Sequence, residues 1–87
     1  MEKGRNYTLV SFNGTTQPDE DFSSNENYWI LIGQSGTLIN FSEELNFGND
    51  NRVLLRFDKN LANQGLECHN PVRNTLWVLK TDLIRKD

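Results

Sequence analysis

This sequence is poor in the residues that most often carry covalent structure or chemistry. Its 87 residues include a single cysteine, Cys68, and a single histidine, His69. One thiol cannot form a disulfide within the chain, which is typical of a reducing compartment, so we expect a cytoplasmic protein. A zinc site needs three or four ligands, and no second cysteine or histidine is present. We therefore expect neither a metal nor another cofactor.

Long apolar runs are also missing. No stretch approaches the roughly 18 apolar residues that cross a bilayer, and no charged n-region followed by an apolar segment marks a secretory signal. The formal charge is −3 and the pI is about 5.0. Since nucleic acids and anionic lipids are polyanions, we expect the partner to be neither nucleic acid nor membrane. The expected partner is another protein, and the chain itself is expected to be a monomer.

The length fits one domain spanning 1–87. The hydrophobic fraction is 36%, and asparagine, serine and threonine make up the difference from an average domain, which indicates many turns. Residues 1–6 are polar and are expected to fray. Residues 13–26 begin with the turn signal Asn13-Gly14 and contain no apolar residue until Phe22. We expect 13–26 to form a long, mobile, acidic loop.

Five short segments have the residue patterns of strands, at 7–12, 28–32, 37–41, 52–57 and 74–83. The segment 52–57 alternates most clearly, because Val53, Leu55 and Phe57 fall on one face. The segment 28–32 is almost continuously apolar, which indicates a central strand. The loop 61–73 contains a short strand in our prediction, at 66–68. A single turn of helix is an alternative for 42–50, where a loop is the favoured interpretation.

The segment 74–83 is predicted to be the closing strand of the sheet. Trp77 lies at its centre, and the polar step that follows returns the chain to apolar Leu83. We expect a short turn to place Leu83 under the core and Trp77 to be largely buried. On that basis, Trp77→Ala is expected to cost about 3–5 kcal/mol, the range for a deleted core aromatic.

Three motifs along 28–84 carry a resemblance to a known fold. They are Gly-x-Leu-Ile from Gly36, Val-x-Leu-x-Phe from Val53, and Leu-Trp-Val-x-x-x-Asp-Leu from Leu76. In this order they resemble the small SH3-like barrels of bacterial and organellar complexes. The resemblance implies an all-β fold: a small five-stranded antiparallel SH3-like barrel with long loops, whose last strand runs into a short terminal 3₁₀ turn. It also implies that an aromatic groove for extended peptides is available.

Cys68 and His69 are the first candidates for catalysis, because they are the only thiol and imidazole. A nucleophile pair needs the imidazole within hydrogen-bond reach of the sulfur and a third group to orient it. Neighbours in an extended segment point in opposite directions, so this pair is poorly placed to act together. We expect no enzymatic activity. Cys68→Ser and His69→Ala are each expected to preserve function, with Cys68 packed inward and His69 shaping its loop.

The acidic residues Asp19, Glu20, Asp21 and Glu26 form a second candidate site. Paired catalytic carboxylates and a weak calcium site are alternatives, but the spaced ligands and glycine of a calcium loop are missing. A solvated loop is the favoured interpretation. The group also suits attraction of a basic partner. This gives the alternative function: a small acidic inhibitor or immunity-type protein that blocks a basic surface through 13–26 and 61–73.

The favoured function is a non-enzymatic protein-interaction module. Adjacent strand residues face opposite ways, so one of Tyr28 and Trp29 is expected to be exposed as an aromatic anchor. The loop 61–73 is too long for a plain hairpin, and Pro71 limits its flexibility. It either binds the partner or merely covers one end of the barrel. The predicted partner-binding residues are Tyr28, Trp29, Glu67, His69, Asn70 and Arg73. Arg52, Arg56 and Arg73 form a candidate basic patch, which is weak evidence for nucleic acid.

Overall fold

The protein is all-β in a computed structural model that describes residues 1–18, 27–41, 51–68 and 70–86. Its strands are β1 (Asn6–Leu9), β2 (Ser35–Phe41), β3 (Arg52–Phe57), β4 (Thr75–Leu79) and β5 (Leu83–Arg85). Three short 3₁₀ turns stand between strands, at Tyr28–Leu31, Ala62–Gln64 and Lys80–Asp82. The predicted all-β class, the five antiparallel strands and the 3₁₀ turn near the end of the chain are confirmed.

The strands form one antiparallel sheet in the order β4-β3-β2-β1-β5. Consecutive strands from β1 to β4 are neighbours, and β5 returns to pair with β1. Among the described residues no ladder joins β4 to β5, so these two strands are the edges of the hydrogen-bonded sheet. The pairing of β2 with β3 shifts between Leu38 and Asn40. This bulge bends β2 next to the centre of the sheet.

The core lies on one face of this sheet. In β3 the alternating residues Val53, Leu55 and Phe57 are all buried, as their spacing predicts. Val53 pairs across the ladder with the equally buried Val78 of β4. Aromatic and aliphatic side chains from the strands, turns and loops complete the buried cluster: Tyr7, Leu9, Phe12, Tyr28, Leu31, Leu38, Leu61, Leu66 and Leu83.

The predicted strand at 28–32 is wrong. Residues Tyr28–Leu31 form a 3₁₀ turn, in which side chains three apart lie on the same side. Tyr28 and Leu31 accordingly face the core, whereas Ile30 is 47% exposed. A short apolar run satisfies the burial of a turn as well as that of a strand, so its composition alone does not separate the two. The short strand expected at 66–68 is also absent.

The other predicted strands need smaller changes. β1 ends at Leu9 rather than residue 12, and Phe12 instead forms an isolated bridge with Thr15. Asn13 and Gly14, between them, have φ values of 52° and 82°. Positive φ at both central residues is the requirement of the type I′ turn that Asn-Gly predicts. The remainder of the predicted loop 13–26 beyond residue 18, and all of 42–50, lie outside the described residues.

The segment 74–83 contains β4 and a 3₁₀ turn that brings Leu83 into the core, as predicted. It is not the last strand, however, because β5 begins at Leu83. The prediction that Trp77 is largely buried is met only in part, since Trp77 is of intermediate burial and does not belong to the core cluster. Trp77 pairs with Leu54 on the face of the sheet opposite the Val53–Val78 pair. In this segment the core residue is therefore the smaller Val78.

Because Trp77 is half-buried, we expect Trp77→Ala to cost about 2 kcal/mol, below the range for a fully buried aromatic. Val78→Ala is expected to cost as much, about 2 kcal/mol, because Val78 is fully buried. Urea unfolding of the two variants compares them directly. A loss at Trp77 well above that at Val78 would contradict the half-buried placement.

Asp82 joins the third 3₁₀ turn to the Asn13–Gly14 turn. Its carboxylate is fully buried and accepts hydrogen bonds from the Ser11 hydroxyl (2.7 Å) and from the backbone amides of Asn13 (3.0 Å), Gly14 (2.9 Å) and Leu79 (3.0 Å). A buried carboxylate is costly unless its oxygens are satisfied by donors. Three of these four donors belong to Ser11, Asn13 and Gly14, about 70 residues before Asp82 in the chain. Asp82 therefore fixes the position of the Asn13–Gly14 turn relative to the third 3₁₀ turn.

Residues 1–6, which were expected to fray, are bound to the sheet. The Gly4 amide donates to the Leu38 carbonyl at 2.8 Å, and the Glu2 amide donates to the Tyr7 hydroxyl at 2.9 Å. Within the described parts of the chain, no helix is long and apolar enough to pass through a membrane.

Candidate interaction surface

The first predicted aromatic, Tyr28, is a structural anchor rather than an exposed one. It is 9% exposed, and its hydroxyl donates to the Glu67 carbonyl at 2.8 Å. This bond attaches the loop that follows β3 to the first 3₁₀ turn. Of the two aromatics, one of which was expected to be exposed, Tyr28 is therefore the buried one, and Tyr28 and Glu67, both predicted as site residues, are in contact.

The second predicted aromatic, Trp29, is half-buried against the Asn13–Gly14 hairpin. Its indole N–H donates to the Thr15 hydroxyl at 3.0 Å, and its ring meets Phe12 edge-on at a centroid distance of 4.9 Å. Both contacts hold the ring in one orientation. The residue of this turn that is most open to solvent is Ile30, at 47%. The expectation of alternating faces fails because the turn repeats every three residues.

Asparagine side chains hold the loop 61–74 at both ends: Asn60 directly before it and Asn74 at its last position. The Asn60 Oδ1 atom accepts from the backbone amides of Ala62 (2.8 Å) and Asn63 (3.3 Å), which starts the second 3₁₀ turn. The Asn74 Oδ1 atom accepts from the Leu61 amide at 3.1 Å, so the first and last residues of the loop are tied together. Asn74 reaches this position from a left-handed backbone conformation, with φ of 63°, which asparagine tolerates well.

The far side of the loop is stabilised in the same way. The Asn70 amide group donates to the Thr75 carbonyl at 3.1 Å, and the Thr75 hydroxyl donates to the Val72 carbonyl at 2.6 Å. Thr75 is fully buried beneath these contacts. The loop is thus bound to β4 as well as to Tyr28, and little conformational freedom remains for a partner to remove.

The tip of the loop is open to solvent. Pro71, Val72 and Arg73 are all exposed, and Val72 is one of the few large apolar side chains exposed among the described residues, at 44%. Glu67 is exposed, whereas Asn70 is half-buried. Of the predicted site residues, Glu67, Asn70 and Arg73 lie on this loop; His69 lies outside the described residues.

A cleft of about 240 Å³ opens beside the loop, lined by Asn60, Leu61, Ala62, Leu66, Cys68, Arg73 and Asn74. The half-buried Cys68 sulfur lies 3.3 Å from the Val72 carbonyl oxygen. Burial raises the pKa of the Cys68 thiol, but hydrogen bonds with the backbone of Thr75 and Asn70 outweigh it and bring the pKa below its usual range. Among the described residues, no group of three metal-ligating side chains forms at this cleft or elsewhere.

The pKa of Cys68 gives a prediction for thiol reactivity. The thiolate is the nucleophile, so the rate of alkylation follows its fraction. Since folding lowers this pKa, the midpoint of the rate of iodoacetamide alkylation against pH is expected at lower pH in the folded protein than in protein unfolded in urea. Equal midpoints, or a higher midpoint in the folded protein, would contradict the stabilising backbone contacts. The unfolded chain serves as its own control, because it carries the same thiol in the same sequence.

Comparisons of the sequence and the structure with known proteins found no relative of this chain. No protein-family model, curated protein or solved structure matched this chain. The candidate surface therefore stands on its geometry alone.

The sequence predicts the position of the loop but not that Val72 is the apolar residue exposed at its tip. Val72 is a lone apolar residue between a proline and an arginine, a pattern that fits a packed loop as well as an exposed tip. The supporting asparagines Asn60 and Asn74 have the sequence pattern of ordinary turn residues. The role of Asn74 depends on its contact across the loop with the Leu61 amide, whereas Asn60 bonds locally to Ala62 and Asn63. Asparagine at both ends of a long loop is the sequence signal that points to them.

Proposed function

We propose that this chain is a non-enzymatic protein-interaction module that binds its partner through the tip of the loop 61–74. The observation that carries the proposal is the combination of a long loop fixed by side-chain hydrogen bonds with an exposed tip containing Val72 and Arg73. Long ordered loops in compact domains are often functional. A loop ordered before binding costs less entropy on association.

The SH3-like barrel is part of this proposal. Its support is the order of the sheet, in which β1 to β4 follow one another and β5 returns to β1, and the 3₁₀ turn Lys80–Asp82 directly before β5. Such a scaffold carries its long loops on a rigid sheet. Fold alone does not define activity, so the argument for binding rests on the loop.

A cytoplasmic monomer is the state we propose for the free module. Cys68 is the only cysteine of the chain, and a single thiol without a partner is typical of a reducing compartment. The partner is another protein, and the chemistry of Cys68 is not required for binding it.

A matched pair of variants tests the loop. Val72→Asp is expected to abolish capture of the partner from an extract of the native host, because an apolar contact is replaced by a charge. Ile84→Asp introduces the same change at an exposed residue of β5, 55% exposed and outside the loop, and is expected to capture the partner as wild type does. Cys68→Ser is also expected to retain it.

Three results would reject the proposal. They are capture by Val72→Asp equal to wild type, equal loss in both aspartate variants, and loss in a folded Cys68→Ser protein. Binding that depends on 13–26 instead would favour the alternative, an acidic inhibitor of a basic surface. That alternative further predicts strong weakening by salt, because exposed charges are screened at high ionic strength.

A further inference from the structure

A second surface lies on the outer face of β3 and β4, away from the core. Three direct cross-strand pairs share it: Arg52 with Leu79, Leu54 with Trp77, and Arg56 with Thr75. Directly opposed residues lie on the same side of an antiparallel ladder. The core pair Val53–Val78 stands one residue along and therefore faces the other way. We call the outer surface of Arg52, Leu54, Arg56 and Trp77 the Arg–Trp face.

The Arg–Trp face places two cations on either side of an apolar centre. Arg56 is exposed, Arg52 and Trp77 are half-buried, and Leu54 is 6% exposed beneath them. Arg52 and Arg56 are four residues apart on β3, so their Cβ atoms are about 13 Å apart at the rise of an extended strand. The Arg52 Nη1 atom donates to the Trp77 carbonyl at 3.4 Å, which leaves further N–H donors of the guanidinium for another acceptor.

Strand addition at the neighbouring edge is hindered by side chains. Directly beside the two ends of β4, the Lys80 amide donates to the Asn51 carbonyl and the Asn74 carbonyl accepts from the Phe57 amide. Since backbone groups alternate in direction along a strand, the even-numbered residues bond to β3. The amides and carbonyls of the odd-numbered residues of β4 therefore point away from β3. Side chains occupy these outward groups: Asn70 bonds to the Thr75 carbonyl, Arg52 to the Trp77 carbonyl and Asp82 to the Leu79 amide. An incoming peptide would have to displace them, and this favours binding on the face over binding at the edge.

We propose that the Arg–Trp face binds an extended acidic segment of a partner protein, with two carboxylates four residues apart on either side of an apolar residue. Residues four apart on an extended chain are separated by about 13 Å and point the same way, matching Arg52 and Arg56. On a helix the same residues rise only about 6 Å, which does not match. The apolar residue between the carboxylates then lies on Trp77, which pairs with the buried Leu54.

The charges of this face and of the whole chain favour a polypeptide over a nucleic acid. No acidic side chain belongs to the Arg–Trp face among the described residues, which gives complementarity to carboxylates. The whole chain nevertheless has a formal charge of −3. A polyphosphate is repelled by that charge along its length, whereas a peptide with two carboxylates presents its charge only at the arginines. Arginine also pairs with carboxylates in a bidentate manner. This surface adjoins the loop 61–74 at Thr75, whose hydroxyl donates to the Val72 carbonyl. None of the four residues of the Arg–Trp face belongs to that loop, however, and the test does not require the loop to bind a partner.

The test uses two capped peptides of equal composition and amide-resolved NMR. The first, Gly-Glu-Ser-Leu-Ser-Glu-Gly, holds its glutamates four residues apart; the second, Gly-Ser-Glu-Leu-Glu-Ser-Gly, holds them two apart. At low salt, we expect the first peptide to shift the amides of β3 and β4 and the Trp77 indole, with several-fold tighter binding than the second. Higher ionic strength should weaken it.

Matched variants assign the effect to the two arginines. Arg52→Gln with Arg56→Gln is expected to weaken binding of the first peptide about three- to tenfold, as for two partly exposed ion pairs. Lys59→Gln with Lys86→Gln removes the same charge at other exposed positions and is expected to change binding less than about twofold. The spectra of both double variants without peptide report whether each is folded.

Several outcomes would overturn the proposal. Equal affinity for the two peptides would reject the spacing argument, and equal weakening by both double variants would show attraction by net charge alone. Shifts confined to residues outside β3 and β4 would reject the site. Tighter binding of a single-stranded oligonucleotide to the same amides would reject the choice of an acidic polypeptide.

Discussion

Asp82→Ala is expected to lower the free energy of unfolding by about 4 kcal/mol, a severe loss for a single substitution. The variant loses the acceptor of Ser11 and of three backbone amides, those of Asn13, Gly14 and Leu79. These donors would be left in a site where the carboxylate is fully buried. Each buried donor without a partner costs about 1–3 kcal/mol, and the sum is reduced because the hairpin can rearrange.

Thermal and urea unfolding measure this loss. At about 4–8 °C per kcal/mol for a domain of this size, the melting temperature should fall by at least about 15 °C. Ser11→Ala, which removes one donor and keeps the carboxylate, should cost only about 1 kcal/mol. Asp58→Ala removes an exposed carboxylate and should melt close to wild type. If Asp82→Ala and Asp58→Ala melt within a few degrees of each other, the buried carboxylate does not hold the two turns together.

Alternating apolar residues and local turn chemistry make part of the fold predictable. β3 follows directly from Val53, Leu55 and Phe57, because apolar residues at a period of two are typical of a strand with one face in the core. The turn at Asn13 and Gly14 is equally local, since its positive φ angles suit these two residue types. The β4 segment and its 3₁₀ turn also agree with their sequence pattern.

The failures have a common physical cause: short apolar runs do not define their own conformation. Residues 28–32 bury Tyr28 and Leu31 in a 3₁₀ turn, where a strand would bury a different set. The size of Trp77 predicts a place in the core, yet the register of β4 with β3 places it opposite Leu54 on the outer face. A shift of one residue exchanges the two faces of a strand, and the register is set by pairing with distant residues.

The sequence predicts where the candidate surface lies but not which side chains it exposes. The length of 61–73 and the presence of Pro71 predict an ordered loop that either binds a partner or covers one end of the barrel. Which side chain the loop exposes depends on the bonds of Asn74 to Leu61 and of Tyr28 to Glu67, which join residues 13 and 39 positions apart in the chain. Asp82 likewise has the sequence pattern of one member of a polar step, because its donor Ser11 lies at the other end of the sequence.

Gly36 shows how a residue of no apparent chemistry can be essential for the sheet. It lies within β2, buried and directly opposite Phe57 of β3. A Cβ atom built on Gly36 would collide with the Arg56 carbonyl oxygen and would lie 2.8 Å from the Arg56 carbonyl carbon and 2.9 Å from the Phe57 Cα atom. All three are backbone atoms, which cannot turn aside as a flexible side chain can. Glycine within a strand often marks such a close approach of two backbones.

Gly36→Ala is therefore expected to cost about 3 kcal/mol, because β2 must separate from β3 where the sheet is most central. Gly65→Ala provides the control. Gly65 has a φ of 78°, and a Cβ atom added there would meet no atom within 4 Å, so alanine should cost only about 1–2 kcal/mol of backbone strain. Urea unfolding of both variants, with amide spectra to locate the change, separates collision from strain. Because Gly36 pairs with β3 and with β1, the amides of these strands should shift most. A Gly36→Ala protein as stable as Gly65→Ala would contradict the close approach of β2 and β3.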